Sequence, residues 1–170
     1  MRKLNLIKSL LDYLLLMSYI VIPGGIIFLI FKLSEASEDY SIPFNGSDYL
    51  IPENSPLNTF VFGTKLLATA VLAYCLFHFR KMIITLQKRD FFSETVYVNL
   101  RITGLSFILF SILDYVPTFG LHLFGWIKIT NRSIIPSSFV IQLIIGLFLI
   151  SISEIIQISG QIKEENDLTV

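Results

Sequence analysis

The sequence predicts an all-α integral membrane protein with four transmembrane helices and both termini cytoplasmic. Three observations carry this expectation: an apolar excess, four apolar runs of spanning length, and an uneven distribution of Lys and Arg among their connections. Hydrophobic residues make up 54% of the 170, and the mean hydropathy is +0.71. A domain of this length cannot bury that much apolar surface in its own core, so lipid must cover the excess.

The runs extend from about Leu10 to Phe31, Thr59 to Phe79, Leu100 to Val116 with a continuation back toward Glu94, and Ser137 to Ile158. A helix needs roughly 20 residues to cross the hydrocarbon core. Helices are expected because lipid leaves backbone groups unsatisfied unless the segment pairs its own, and four segments are too few for a barrel. The organisation is a single domain over residues 1–170. Its connections are an outer loop at 32–58, a cytoplasmic hairpin at 80–99, a second outer loop at 117–136 and a cytoplasmic tail at 159–170.

Orientation follows from the basic residues, which stay preferentially on the cytoplasmic side. Arg2, Lys3 and Lys8 precede the first run, and Arg80, Lys81, Lys88, Arg89 and Arg101 fill or flank the middle connection. The first connection instead carries Glu35, Glu38, Asp39, Asp48 and Glu53 against Lys32, and the last has only Lys128 and Arg132. A cleaved signal peptide is a second reading of the first run, with Ser34-Glu35-Ala36 as the cleavage site. The length of the run, Asp12 and the Pro23-Gly24-Gly25 interruption favour a retained helix. Pro23 removes one backbone donor and the glycines loosen the next turn, which predicts a kink in its outer half.

The outer connection 32–58 is rich in turn-forming residues and reads as a solvated cap. Asn45-Gly46-Ser47 matches a glycosylation acceptor but serves better as a turn. In 117–136, Phe119, Leu121, Leu123, Phe124 and Trp126 suit the membrane interface. Met82, Ile83 and Leu86 continue one apolar face of the second helix, which predicts an inward projection of a turn or two. Ser93 is the expected N-cap of the third helix, with Glu94 in its first turn.

Ionisable residues within a span are costly and by default raise a functional hypothesis. Asp12 and Glu154 lie near the inner ends of the first and fourth runs, where snorkelling or pairing with Arg80 or Lys81 accommodates them. Lys65 and Asp114 fall at matching depth in the outer leaflet, on the second and third runs, which predicts an interhelical ion pair. The central layers read as mostly Leu, Ile, Val, Phe and Ala, a pattern that favours structure over ion transport.

Signatures of other classes are missing from the sequence. No HExxH, Walker A, GxGxxG or GxSxG motif occurs. The lone Cys75 excludes an intramolecular disulfide and a cysteine-based zinc site, and His78 and His122 fall at opposite ends of the spans. A formal net charge of zero argues against direct nucleic-acid binding. The expectation is a protein without cofactor, metal or catalytic residues.

The C-terminus, Gly160-Gln161-Ile162-Lys163-Glu164-Glu165-Asn166-Asp167-Leu168-Thr169-Val170, resembles the terminal signature of the bacterial membrane family called domain of unknown function 2975. Phe92-Ser93 followed by Leu100-Arg101 and Gly104 resembles that family's turn into its third helix, although Val96 stands where a polar Asn is usual. The four-span layout agrees, so the resemblance extends over essentially the whole chain and implies the bacterial inner membrane.

Members of this family are often encoded beside a small helix-turn-helix regulator. The resemblance therefore implies a membrane-bound sensor or sequestering partner of such a regulator. Lys88 and Arg89, with Glu164, Glu165, Asn166, Asp167, Leu168, Thr169 and Val170, are the candidate docking residues. Gly160 is expected to end the fourth helix and release the tail from the membrane. The rival reading is a small transporter or proton-coupled permease, a homo-oligomer because four helices enclose little room. Lys65, Asp114 and Glu154 would be its working groups.

Overall fold

The computed structural model describes residues 2–34, 49–50, 56–124, 128–129 and 137–168. Among them are four long helices: α1 (Arg2–Ser34), α2 (Pro56–Gln87), α3 (Glu94–Leu123) and α4 (Ser137–Leu168). Each is long and apolar enough to cross a membrane. At about 1.5 Å per residue they reach roughly 45–50 Å, against about 30 Å of hydrocarbon, so each projects beyond the core by several turns. The α1–α2 and α3–α4 connections share one short antiparallel ladder, in which β1 (Tyr49–Leu50) pairs with β2 (Lys128–Ile129). Most of 32–58, including Asn45-Gly46-Ser47, lies outside the described residues, as does Trp126.

Packing runs in chain order. α1 lies against α2, α2 against α3 and α3 against α4, while non-consecutive helices make no more than marginal contact. Successive helices are antiparallel, so the start of α1, the α2–α3 turn and the end of α4 share one end, which holds most of the Lys and Arg. We call it the basic end and its opposite the ladder end. At the basic end, Leu11, Met82, Ile83, Val96 and Leu100 form a buried cluster, joined by Leu149, Ile152 and Ile156 of α4. Elsewhere many large apolar side chains stay exposed, including Ile20 and Phe31 of α1 and Ile144 and Phe148 of α4. Lipid is the solvent that suits them.

α3 is the central helix, and its buried positions include Asn99, Thr103, Gly104, Ser106, Ser111 and Thr118. Small and weakly polar residues let backbones approach and bond across helices where the hydrophobic effect offers no drive for association. Gly104 and Gly146 bring α3 and α4 together: a Cβ on Gly104 would stand 2.8 Å from the Gly146 carbonyl oxygen. On the other side of the molecule, Gly25 receives Leu66, whose methyl group would lie 2.6 Å from an added Cβ. That packing accounts for the second glycine after Pro23, through which α1 continues as one helix.

Two helix ends expected from the sequence are corrected, and the Ser93 N-cap holds in its backbone but not in its side-chain bond. α3 does not end at Pro117 but continues to Leu123, so Phe119, Leu121 and Leu123 are helical. Stacking of Tyr115 on Phe119 and Phe139 holds this last part. α4 does not end at Gly160 but continues to Leu168. Ser93 occupies the N-cap with extended backbone, yet its hydroxyl caps nothing and instead donates to Asp90 O at 3.3 Å. α2 projects to Gln87, as the buried Met82 and Ile83 require, and is stopped by Arg89 in the left-handed region at φ 63°.

Candidate functional site: the polar seam and the basic end

α2 and α3 meet along a seam of polar contacts. Near the ladder end, Lys65 Nζ donates to both Asp114 Oδ1 and the Asp114 main-chain oxygen, each at 2.5 Å. The two side chains are only 17% and 20% exposed, so the pair is mostly shielded. Further along, Cys75 Sγ donates to Thr103 O at 3.4 Å. Closer to the basic end, Asn99 Nδ2 donates to Thr95 O at 2.6 Å, which leaves Asn99 Oδ1 as an acceptor. His78 Nδ1, 2.8 Å away, is therefore the protonated ring nitrogen in that contact.

α3 and α4 carry a second set. Ser111 Oγ donates to Gln142 Oε1 at 2.8 Å, and Ser153 Oγ donates to Tyr97 O at 2.9 Å. These partners escaped the sequence reading, which weighed charged residues in the spans and passed over Ser, Thr and Asn. The spacing of Asn99, Thr103 and Ser106 along one helical face was the available signal.

At the basic end Arg80 Nε donates to Asp12 Oδ1, and two turns further out Gln87 Nε2 donates to Asn5 Oδ1 at 3.1 Å. Both fasten α1 to α2. Glu154 is exposed on α4 and has no ion-pair partner among the described residues. Lys88 and Arg89 are exposed in the α2–α3 turn, beside the half-exposed Phe91 and Phe92.

The last turns of α4 lie against that turn. A Cβ on Gly160 would come within 3.2 Å of the Phe92 carbonyl oxygen, and Lys163 Nζ sits 5.9 Å from the centre of the Phe92 ring. Gly160 is thus a point of close approach in a continuing helix. A mid-helix glycine costs about 1 kcal/mol relative to alanine, and here a Cβ would crowd the Phe92 carbonyl oxygen. Glu164, Glu165 and Asn166 are helical and exposed, Asp167 is helical, and Leu168 closes the helix. Thr169 and Val170 lie outside the described residues. The structure brings Lys65 to Asp114 and Asp12 to Arg80, and seats the α4 extension on the α2–α3 turn through Gly160 and Lys163.

Four antiparallel apolar helices with polar groups turned inward define a multi-pass α-helical membrane protein. The chain belongs to a family described as protein of unknown function (DUF2975), whose model matches residues 43–170. The match takes in α2, α3 and α4 and leaves out α1, so it is narrower than the whole-chain resemblance inferred from the motifs. No curated protein and no solved structure matches the chain.

Proposed function

We propose that the chain is a membrane-bound partner of a cytoplasmic protein, held on the composite surface where the α4 extension meets the α2–α3 turn. The observation that carries this reading is the seating of Gly160 and Lys163 on Phe92. A solubilising tail needs charge but no fixed place. This extension is helical, positioned, and presents Glu164 and Glu165 near a turn that presents Lys88 and Arg89. The distribution of Lys and Arg supports assigning the basic end to the cytoplasm. The family resemblance supports a helix-turn-helix regulator as the occupant, because members of the family are often encoded beside one. In this reading, a change in the envelope or lipid alters the helix packing and so retains or releases the regulator.

The test is deletion of Asn166 to Val170, with membrane abundance and recovery of the cytoplasmic partner measured together. Normal abundance with loss of the partner is expected; unchanged recovery contradicts the reading. One observation favours a proton-coupled carrier instead. Buried Thr103, Ser106 and Ser111 make the central layers of α3 more polar than their composition first indicates. Thr103 nonetheless satisfies itself within α3 on Asn99 O at 2.7 Å, and Ser111 bonds across to Gln142 of α4, a contact that serves helix association.

A further inference from the structure

Thr118 stands out among the hydroxyls of the spans. In apolar surroundings a helical Ser or Thr ordinarily returns its hydroxyl to a carbonyl three or four residues earlier. Thr64, Thr69 and Thr103 all do so, on Val61, Lys65 and Asn99. Thr118 is 2% exposed, and its Oγ1 has no hydrogen-bond partner among the described residues. The carbonyl four residues back belongs to Asp114, and Lys65 Nζ already engages it at 2.5 Å. A buried hydroxyl without a partner costs about 1–3 kcal/mol, so the position calls for an occupant.

The neighbouring backbone supplies a second polar group. Pro117 lies inside α3 and has no N–H, so it offers no donor to the carbonyl of Leu113. Spanning helices tolerate proline where neighbouring helices, Ser or Thr side chains and ordered water take up the freed group. Here Lys65 arrives from the neighbouring helix one residue away, and Thr118 follows the proline directly. The Asp114 carboxylate, with about four lone-pair sites, keeps acceptor capacity beyond its bond to Lys65. A buried water requires two to four polar partners, and within about one turn of Thr118 along α3 the chain carries the Leu113 carbonyl and the Asp114 carboxylate as further candidates.

We propose that the gap Pro117 leaves in the hydrogen-bond ladder of α3 is a binding site for one ordered water molecule, held by the Thr118 hydroxyl beside the Lys65–Asp114 pair. The ladder-end half of the α2–α3 interface is then a hydrated polar site rather than a dry ion pair. The water links the proline gap to the ion pair, so Thr118 and Asp114 act as one unit.

The test is Thr118→Val, nearly isosteric, in the full chain purified in lipid nanodiscs. If the hydroxyl holds water, the variant unfolds roughly 2–4 °C lower per bond-equivalent lost, Thr118→Ser stays close to wild type, and Asp114→Asn combined with Thr118→Val is non-additive. If the hydroxyl is bare, Thr118→Val removes an unsatisfied group and leaves the melting temperature unchanged or raised, which overturns the proposal. Should Thr118→Val not accumulate, water-edited solid-state NMR of the wild type decides. Magnetisation passing from bound water to the Thr118 methyl group supports the site, and its absence at a buried methyl refutes it.

Discussion

Lys65 and Asp114 illustrate how charge is tolerated in a span. Each alone costs free energy at that depth, whereas together they exchange desolvation for a close ion pair and a second bond to a main-chain oxygen. Replacing either by Leu or Met strands the other. Each single variant should therefore lower thermal stability, while the double variant should lose less than the sum, with a coupling of about 0.5–2 kcal/mol. Strictly additive melting shifts in detergent would show that the two side chains do not act as a pair. Their matching depth made this pairing legible from the sequence. The role of His78 was not legible in this way, because its partner Asn99 is uncharged and 21 residues away on another helix.

Among the elements, α4 departs most from the sequence expectation, for a reason that is physical. A glycine just beyond an apolar run reads as a helix end, since nothing in the local sequence reveals that a backbone carbonyl lies opposite. Gly160 is small because Phe92 O is there. Gly160→Val should push α4 off the α2–α3 turn. Amide exchange over residues 161–168 should rise at least tenfold while the spans keep their protection, as read by exchange mass spectrometry in nanodiscs. An unchanged exchange pattern would mean that the extension holds its place without this contact. Pro117 misled in the same way: a proline after an apolar run reads as a boundary, yet packing by Tyr115, Phe119 and Phe139 carries α3 past it.

For the whole molecule, the number, type and approximate placement of the helices were legible because lipid imposes length and apolarity on each span separately. Their arrangement was not. Nothing in the apolar runs distinguishes a closed bundle from helices packed in chain order, and the choice rests on details such as Gly104 opposite Gly146. Among the described residues the order of packing leaves α1 seated chiefly on α2 and gathers most of the chain's basic residues, the α2–α3 turn and the α4 extension at one end. That end is the surface to which the proposed function assigns a partner. The most direct measurement is photo-crosslinking in native membranes from a probe at Lys88 and, separately, at Glu164, with the adducts identified by mass spectrometry. The account predicts that both positions capture the same cytoplasmic protein and that a probe at Leu123, near the ladder end, does not. Capture of unrelated proteins by the two probes, or labelling of Glu164 substituted by Cys with a membrane-impermeant reagent added to intact cells, would contradict it.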